Sequence, residues 1–250
     1  VDTLFGTGLD RDVEGRYADA VKATNSHHPT PVLSLDIPSG IHADSGKALG
    51  VAVKATVTLS FIGLNKGLFT GDAPDYCGQV CFDSLEIPTE VYGEVTPDAL
   101  RIDLAQYRKL LSPRPRTAHK GFYGHLLVIG GDNGMPGAAR VAAEAGARVG
   151  SGLISIATHK AHSAILNQAR PELMCHGIKQ ADELAPLLDK ASVLAMGPGL
   201  GQSSWSQALF ESVMSSPQTM VVDADALNLL SHQPRHNDNW ILTPHPGEAA

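Results

Sequence analysis

The stretch HLLVIGGDNGMPGAAR, residues 125–140, decides the fold of this chain. It begins with an apolar run, passes through a glycine-rich loop, and continues into small residues with Pro136 near the first helical turn. Proline is tolerated there because the first N–H groups of a helix have no partner within the helix. A strand that leads through a glycine loop into a helix begins a βαβ unit. The stretch therefore predicts an α/β domain with a parallel sheet.

The same alternation continues to the end of the chain. Short apolar runs are separated by segments with helical periodicity, as expected for parallel strands joined by helical crossovers. The predicted strands are LISIAT (153–158), SVLAMG (192–197), MVVDAD (220–225) and WILT (240–243), and the predicted helices lie at 136–150 and near 161–168, 204–214 and 226–231.

The first half of the chain is predicted to be another α/β unit. A strand-like start at 1–6 is followed by a helical stripe at 11–25 and by the almost wholly apolar strand PVLSLDIPSG at 31–40. A continuously apolar strand suits a sheet that is buried on both faces. Two further predicted strands are ATVTLSFIG (55–63) and GQVCFDSLEIP (78–88).

The sequence changes character between 88 and 116, where it is polar and contains several prolines and a short helical piece near 104–111. Such a change is typical of a boundary between domains. We therefore predict a first domain over 1–95, a linker over 96–115 and a second domain over 116–250.

Composition argues against several classes of partner. The net charge is −7 and no basic run is present, which is unfavourable for nucleic acid or an anionic membrane surface. No apolar stretch reaches the roughly 18 residues of a spanning helix, and the sequence predicts a cytoplasmic protein. The three cysteines form no C-x-x-C pair, so neither a disulfide framework nor a zinc site is predicted.

Candidate binding residues follow the predicted strands of the first half. Gly6 and Gly8, in FGTGLDRD (5–12), would let backbone N–H groups approach a phosphate closely, although a tight turn without a ligand explains them equally well. Asp36 and Ser39 end an apolar strand, where a carboxylate must be hydrogen-bonded, ligand-bound or exposed. The alternative for Asp36 is a hydrogen bond to the amides of its own turn.

In the second half, too, the candidate binding residues follow the predicted strands. Ligands of parallel sheets gather at the carboxyl ends of strands. The loop IGGDNGMPGAAR (129–140) and the loop MGPGLGQ (196–202) are rich in glycine, which permits close backbone approach to an anion. Asp223 and Asp225 also follow a strand, with helix capping as the alternative, and His245 is fixed between two prolines. Neither a nucleophile elbow nor a Walker sequence is present.

Nine motifs taken together carry a resemblance that no single one would carry. They are VDTLFGTGL (1–9), LDIPSGIHADSG (35–46), TVTLSFIGLNKGL (56–68), AHKG (118–121), IGGDNGMPGAA (129–139), RPELM (170–174), GPGLG (197–201), DADALN (223–228) and TPHPGE (243–248). In this order and spacing they resemble the bifunctional NAD(P)H-hydrate repair enzymes. The resemblance implies a Rossmann-like epimerase part and a ribokinase-like, ADP-dependent dehydratase part, both incomplete here.

The implied reaction is metabolite repair. Water adds to the nicotinamide ring of NADH or NADPH, and the epimerase interconverts the R and S forms of the hydrate, NAD(P)HX. The dehydratase is implied to phosphorylate the ring hydroxyl of the S form with ADP or ATP and then to release phosphate, with AMP as the second product from ADP. The resemblance also implies a homo-oligomer for the complete enzyme.

Site residues are implied position by position. In the epimerase part, Asp2 and Ser39 would hold a potassium ion, and Asp36 would contact the hydrate near the reacting carbon. In the dehydratase part, Ala138, Gly199 and His245 would contact the hydrate, with the choice between Gly197 and Gly199 left open. The loop that would contact the hydrate in the epimerase part consists of Gly6, Thr7, Gly8, Leu9, Asp10, Arg11 and Asp12.

The sequence also departs from the family pattern. The N-G-G-D-G loop of the epimerase and the K-G-x-x-T and G-x-G-D segments of the dehydratase do not occur. We therefore expect an internal part of a longer gene product, with the dehydratase general base beyond Ala250. We also expect this chain alone to lack dehydratase activity. The alternatives are a ribokinase-like small-molecule kinase and a non-catalytic nucleotide-binding relic.

Overall fold

A computed structural model describes residues 1–27, 29–168 and 170–249. The chain divides into two compact units, unit 1 over Val1–Leu111 and unit 2 over Ser112–Ala250. The point of division falls within 96–115, the segment predicted as a linker. None of the helices in the described residues is long and apolar enough to cross a bilayer.

Unit 1 is built on a three-stranded parallel sheet in the order β1-β2-β3. Leu33 pairs with Val57, and Val57 pairs in turn with Gln79, so the strands are nearly in register. Its elements are α1 (Gly15–Ser26), β1 (Leu33–Leu35), β2 (Val57–Phe61), β3 (Gln79–Asp83), α2 (Thr89–Gly93) and α3 (Leu104–Tyr107).

The core of unit 1 consists of two small clusters. One cluster packs beside α1 and contains Val13, Ala18, Val21 and Val53. The other is formed largely by the loops that follow the strands and contains Ile37, Ile41, Ala43, Ala52, Leu68, Ala73 and Cys77. Burial raises the pKa of the Cys77 thiol to about 11, so this thiol is a packing group at neutral pH.

Unit 2 is built on a six-stranded sheet in the order β6-β5-β4-β7-β8-β9, and every pair is parallel. Its elements are β4 (His125–Ile129), α4 (Pro136–Val149), β5 (Leu153–His159), β6 (Met174–Ile178), α5 (Ala185–Leu188), β7 (Val193–Met196), α6 (Ser204–Val213), β8 (Thr219–Val222), α7 (Asp225–His232) and β9 (Trp240–Leu242).

Both faces of this sheet are covered. Leu127 and Ile129 belong to the cluster that contains Leu209 and Phe210 of α6, whereas Val128 belongs to the cluster beneath α4. Successive residues of a strand point to opposite faces, which explains why β4 is apolar throughout. The helix α4 packs closely because its inward residues, Ala139, Ala143 and Gly146, are small. A Cβ on Gly146 would lie 2.4 Å from Leu126 Cδ2.

The predicted α/β class with parallel sheets is confirmed, and two elements were predicted wrongly. At 1–6 only Asp2 pairs with β1, as an isolated bridge to Ser34. At 161–168 the predicted longer helix is replaced by a single 3₁₀ turn, Lys160–His162, which is followed by hydrogen-bonded turns. The edge strand β6 was missed because Gly177 and the polar His176 interrupt its apolar pattern.

Candidate functional site

The carboxylate of Asp2 lies at the centre of the candidate site in unit 1. It is buried, and its Oδ2 accepts hydrogen bonds from Ser34 Oγ at 2.7 Å and from the Ser39 N–H at 2.9 Å. Ser39 Oγ lies 2.6 Å from Asp2 Oδ1 and donates to it. The backbone places Asp2 here, because its N–H donates to Leu33 O and its carbonyl accepts from Leu35 N–H. Asp2 and Ser39, both predicted site residues, are thus in direct contact.

The donor set around Ser39 fits a hard cation such as potassium. Asp2 Oδ1 lies 2.6 Å from Ser39 Oγ, and the carbonyl oxygen of Phe5 lies 3.3 Å from the same hydroxyl. These are carboxylate, hydroxyl and carbonyl oxygens, the donor types that hard cations prefer. No group of three or more His, Cys, Asp or Glu side chains within the described ranges could hold a metal ion. A cation here would therefore depend on mixed oxygen donors.

Asp36 has a strained backbone at the end of β1. Its φ is +64°, a left-handed conformation that is uncommon for residues other than glycine. Its Oδ1 accepts the Phe61 N–H at 3.2 Å, and its own N–H donates to Leu59 O at 2.8 Å. The alternative of a bond to its own turn is wrong for Oδ1, because that oxygen bonds to β2. Strain of this kind persists where surrounding contacts enforce it, which is common at binding sites.

The loop predicted to contact the substrate begins beside this cluster and is largely exposed. The Phe5 N–H donates to Ser39 Oγ at 2.9 Å, so the loop leaves the sheet at the Asp2 and Ser39 contact. A Cβ added to Gly6 or Gly8 would meet nothing within 4 Å. Packing within the chain therefore does not require either glycine. The remaining residues of the loop are Thr7, Leu9, Asp10, Arg11 and Asp12, of which Leu9 is half-buried and the others are exposed.

The candidate site of unit 2 lies along the carboxyl edge of its sheet. The loops after β4, β7, β8 and β9 follow four strands that are neighbours in this order. The Gly131 N–H donates to Pro198 O at 3.1 Å, and the Asp132 N–H donates to Gly199 O at 2.8 Å. The two glycine-rich loops recognised in the sequence are therefore joined through their backbones.

Glycine is required in these loops by close backbone contacts. A Cβ on Gly130 would lie 2.2 Å from Pro198 O, and a Cβ on Gly197 would lie 1.7 Å from Asp223 O. Gly199 has a φ of +61°, and a Cβ there would lie 3.4 Å from Ala138 Cβ. The structure thus brings Ala138 and Gly199 together across the loops after β4 and β7. Gly197 is buried beneath them, whereas Gly199 is half-buried.

Asp132 is a buried residue of this site that the sequence reasoning did not single out. Its Oδ2 accepts a hydrogen bond from Ser206 Oγ at 3.3 Å, and its Oδ1 accepts from the Asn133 N–H at 2.7 Å. Ser206 lies in α6, so this bond ties the loop after β4 to the helix that follows β7. The position of an acidic residue inside GGDNG was the available signal.

Asp223 and Asp225 hold the loops together rather than cap the helix. Asp225 Oδ2 accepts the Gly201 N–H at 2.8 Å, and Asp223 Oδ1 accepts from Thr243 Oγ1 at 2.8 Å. The capping position of α7 is Ala224, with a φ of +46°, and it makes no side-chain cap. The capping alternative was wrong. Both carboxylates join neighbouring strand-end loops instead.

His245 is exposed in the loop that follows β9. Its backbone N–H donates to Glu248 Oε2 at 2.9 Å, and its imidazole makes no hydrogen bond within the described part of the chain. Two strand intervals, about 10 Å, separate β9 from β7. His245 therefore shares the edge with Ala138 and Gly199 without being brought into contact with them.

Both parts of the chain are similar to known protein families. Residues 126–250 match the family described as NAD(P)H-hydrate dehydratase, and residues 1–67 match the family described as the YjeF-related protein N-terminus. The bifunctional NAD(P)H-hydrate repair enzyme Nnr of Coxiella burnetii is 48% identical over 250 residues, which are 100% of this chain and 51% of that protein. Nnr of Escherichia coli is 42% identical over 100% of this chain and 48% of that protein.

Two solved structures are similar to the fold. A hypothetical protein from Streptococcus mutans has a TM-score of 0.56 and 35% identity, over 60% of this chain and 56% of the other. A ribokinase-like superfamily protein from Enterococcus faecalis has a TM-score of 0.52 and 27% identity, over 55% and 50% of the two chains. The chain spans about half the length of the curated relatives it matches.

Proposed function

Because the chain belongs to the NAD(P)H-hydrate dehydratase family, we propose that it serves the repair of NAD(P)H hydrate. Unit 2 would bind the S form of the hydrate for dehydration that depends on ADP or ATP, and unit 1 would bind the hydrate for epimerisation. The relatives named bifunctional NAD(P)H-hydrate repair enzymes, whose similarity extends over the whole of this chain, support both assignments.

The contact between Ala138 and Gly199 carries the proposal for unit 2. Ala138 is exposed near the start of α4, and its Cβ lies 3.4 Å from where a Cβ on Gly199 would be. The first N–H groups of a helix attract anions, and small residues leave room for a ligand to approach them. His245, farther along the same edge, would contact the other side of the hydrate.

The test is direct binding of the hydrate to this chain. Calorimetric titration with the S form of NADPHX should give an affinity that falls about tenfold or more in Ala138→Phe, because the ring would fill the approach to Gly199. Ala145→Phe is the matched control, since Ala145 is exposed on the same helix two turns away. Equal hydrate affinity in wild type and Ala138→Phe would show that Ala138 does not face the ligand.

The proposal for unit 1 uses side-chain oxygens. Asp2 and Ser39 would hold potassium with the help of the Phe5 carbonyl, and a bound cation would offset the negative charge of a nearby pyrophosphate. Asp36 would contact the hydrate through Oδ2, which has no hydrogen-bond partner among the described residues. The exposed loop of residues 6–12 would supply backbone N–H groups to the phosphates.

Other parts of the assignment belong to the same proposal. The epimerase part would span 1–95, the linker 96–115 and the dehydratase part 116–250. The nucleotide co-substrate would be ADP or ATP, the location cytoplasmic, and the assembled enzyme a homo-oligomer.

A further inference from the structure

Two lysines that the candidate site does not use lie at the carboxyl ends of β5 and β6. Lys160 follows β5 and Lys179 follows β6, and His159 and Ile178 are the last paired residues of these strands. Because the strands are parallel neighbours, the two lysines leave the sheet side by side. We call Lys160 and Lys179 the lysine corner.

The two chain segments that carry these lysines are closely packed against each other. A Cβ on Gly177 would lie 3.1 Å from Lys160 Cα and 2.6 Å from Ser163 Oγ. The neighbouring Lys179, through side-chain contact and charge repulsion, lowers the pKa of Lys160 below its usual value. Two like charges are therefore held near each other at an exposed edge of the sheet.

The protein supplies little negative charge to offset the two lysines. Glu183 acts on Lys160 through its charge, but its Oε2 accepts the backbone N–H of Lys179 at 2.9 Å. Neither side-chain ammonium group has a carboxylate oxygen within 4.0 Å in the part of the chain that the structure describes. Charges placed in this way attract an added anion, and lysine is a common ligand of phosphate.

The lysine corner is continuous with the glycine loop after β4. His162 Nε2 accepts the Gly134 N–H at 3.0 Å. The His159 ring packs edge-to-face on Trp205 with centroids 5.5 Å apart, and Trp205 Nε1 donates to Ile178 O at 3.1 Å. Two strand intervals, about 10 Å, separate β4 from β6. An extended dinucleotide that binds at the glycine loop is long enough to reach the corner.

We propose that Lys160 and Lys179 bind a phosphate group of the dinucleotide ligand of unit 2. The identity of the ligand rests on the proposed function. A dinucleotide offers this chemistry in two places, the pyrophosphate that NADH and NADPH share and the 2′-phosphate that NADPH alone carries. The lysine corner would therefore help to anchor the dinucleotide, and with the 2′-phosphate it would also select between its two forms.

The experiment measures the affinity of this chain for NADPH, NADH and inorganic pyrophosphate by calorimetric titration at low salt. Lys160→Ala and Lys179→Ala should each weaken binding roughly tenfold, the lower end for a hydrogen bond to a charged group. Lys190→Ala is the matched control. Lys190 is also exposed, but it precedes β7 and therefore lies at the amino ends of the strands, away from the two lysines. Lys160→Arg should restore most of the affinity, since it keeps the charge.

The pattern of affinity losses across the three probes identifies the phosphate that the lysine corner binds. Loss of affinity for NADPH alone identifies the 2′-phosphate, and equal loss for NADPH and NADH identifies the pyrophosphate. If wild type binds pyrophosphate through the two lysines but binds neither dinucleotide, the phosphate site stands and its assignment to a dinucleotide ligand fails. Unchanged affinity for all three probes in both alanine variants overturns the proposal, as does a wild type that binds none of them.

Discussion

The two candidate sites are built in opposite ways at the same kind of position. In unit 1 a buried carboxylate, Asp2, gathers the hydroxyl and N–H groups around it. In unit 2 the glycines at 130 and 197 let neighbouring backbones touch. A single polar substitution can disrupt a side-chain network, whereas backbone packing is disrupted by added volume. The two sites should therefore fail under different substitutions.

The largest effect is expected from volume added to unit 2. Gly197→Ala should lower the free energy of unfolding by about 3 to 5 kcal/mol, because its Cβ would overlap Asp223 O and alanine is strained at a φ of +127°. Urea denaturation measures this change. Gly137→Ala is the control, since a Cβ there meets nothing within 4 Å, and it should be neutral or slightly stabilising. Equal stability of the two variants would contradict the packing argument.

A smaller effect is expected from a polar substitution in unit 1. Asp2→Asn keeps the volume but removes the charge and places an amide against donors from Ser34 and Ser39, which should cost about 2 kcal/mol. Hydrogen exchange of the β1 and β2 amides measures the loss in this unit. Asp19→Asn, at an exposed position of α1, should change stability by less than about 0.5 kcal/mol. If the β1 and β2 amides of Asp2→Asn exchange as slowly as those of wild type, the hydrogen bonds around Asp2 do not stabilise this unit.

The smallest effect is expected from acid acting on unit 2. Burial, the largest cause, lowers the pKa of both His125 and His176, which share a hydrogen-bonding partner in Ser155 Oγ. The folded state therefore binds fewer protons than the unfolded state, so stability is fully present above the usual value of 6.5 and is lost as pH falls below it. Both rings are half-buried, so solvent moderates the effect.

Thermal unfolding at a series of pH values between 8 and 5 measures this loss of stability. The double variant that carries both His125→Gln and His176→Gln should show a stability that depends less steeply on pH. The same substitutions leave the two glycine-rich loops untouched, because both histidines lie on strands away from them. An identical pH dependence in wild type and variant would remove these histidines as its cause.

Local pattern was enough to predict the elements that position the sites. The stretch 125–140 combines an apolar strand, a glycine loop and a helix with proline in its first turn, and the structure has all three. The helix predicted near 161–168 was wrong. The spacing of its apolar residues is typical of a helix, but in the structure the segment consists of short turns on which Leu166 is buried and Ile165 is exposed. Tertiary packing decided this segment, which propensity alone could not.

Contacts between distant residues were beyond local pattern. Asp132 meets Ser206 across 74 residues, and nothing in the spacing of either residue indicates the other. The proximity of Asp2 and Ser39 was expected only from the family resemblance, because their contact depends on Asp2 pairing beside β1. The strand order brings such residues together, and that order is a property of the whole sheet.

The order β6-β5-β4-β7-β8-β9 also has a consequence for how the protein is made. The chain moves outward from β4 to β6 and then returns to place β7 on the other side of β4. The contact between the loops that contain Gly130 and Pro198 thus joins a half of unit 2 that is synthesised earlier to a half that is synthesised later. During translation the contact between these two loops does not exist until the second half docks. A ligand that binds there favours the joined state by mass action and so acts as a folding aid for the newly made chain.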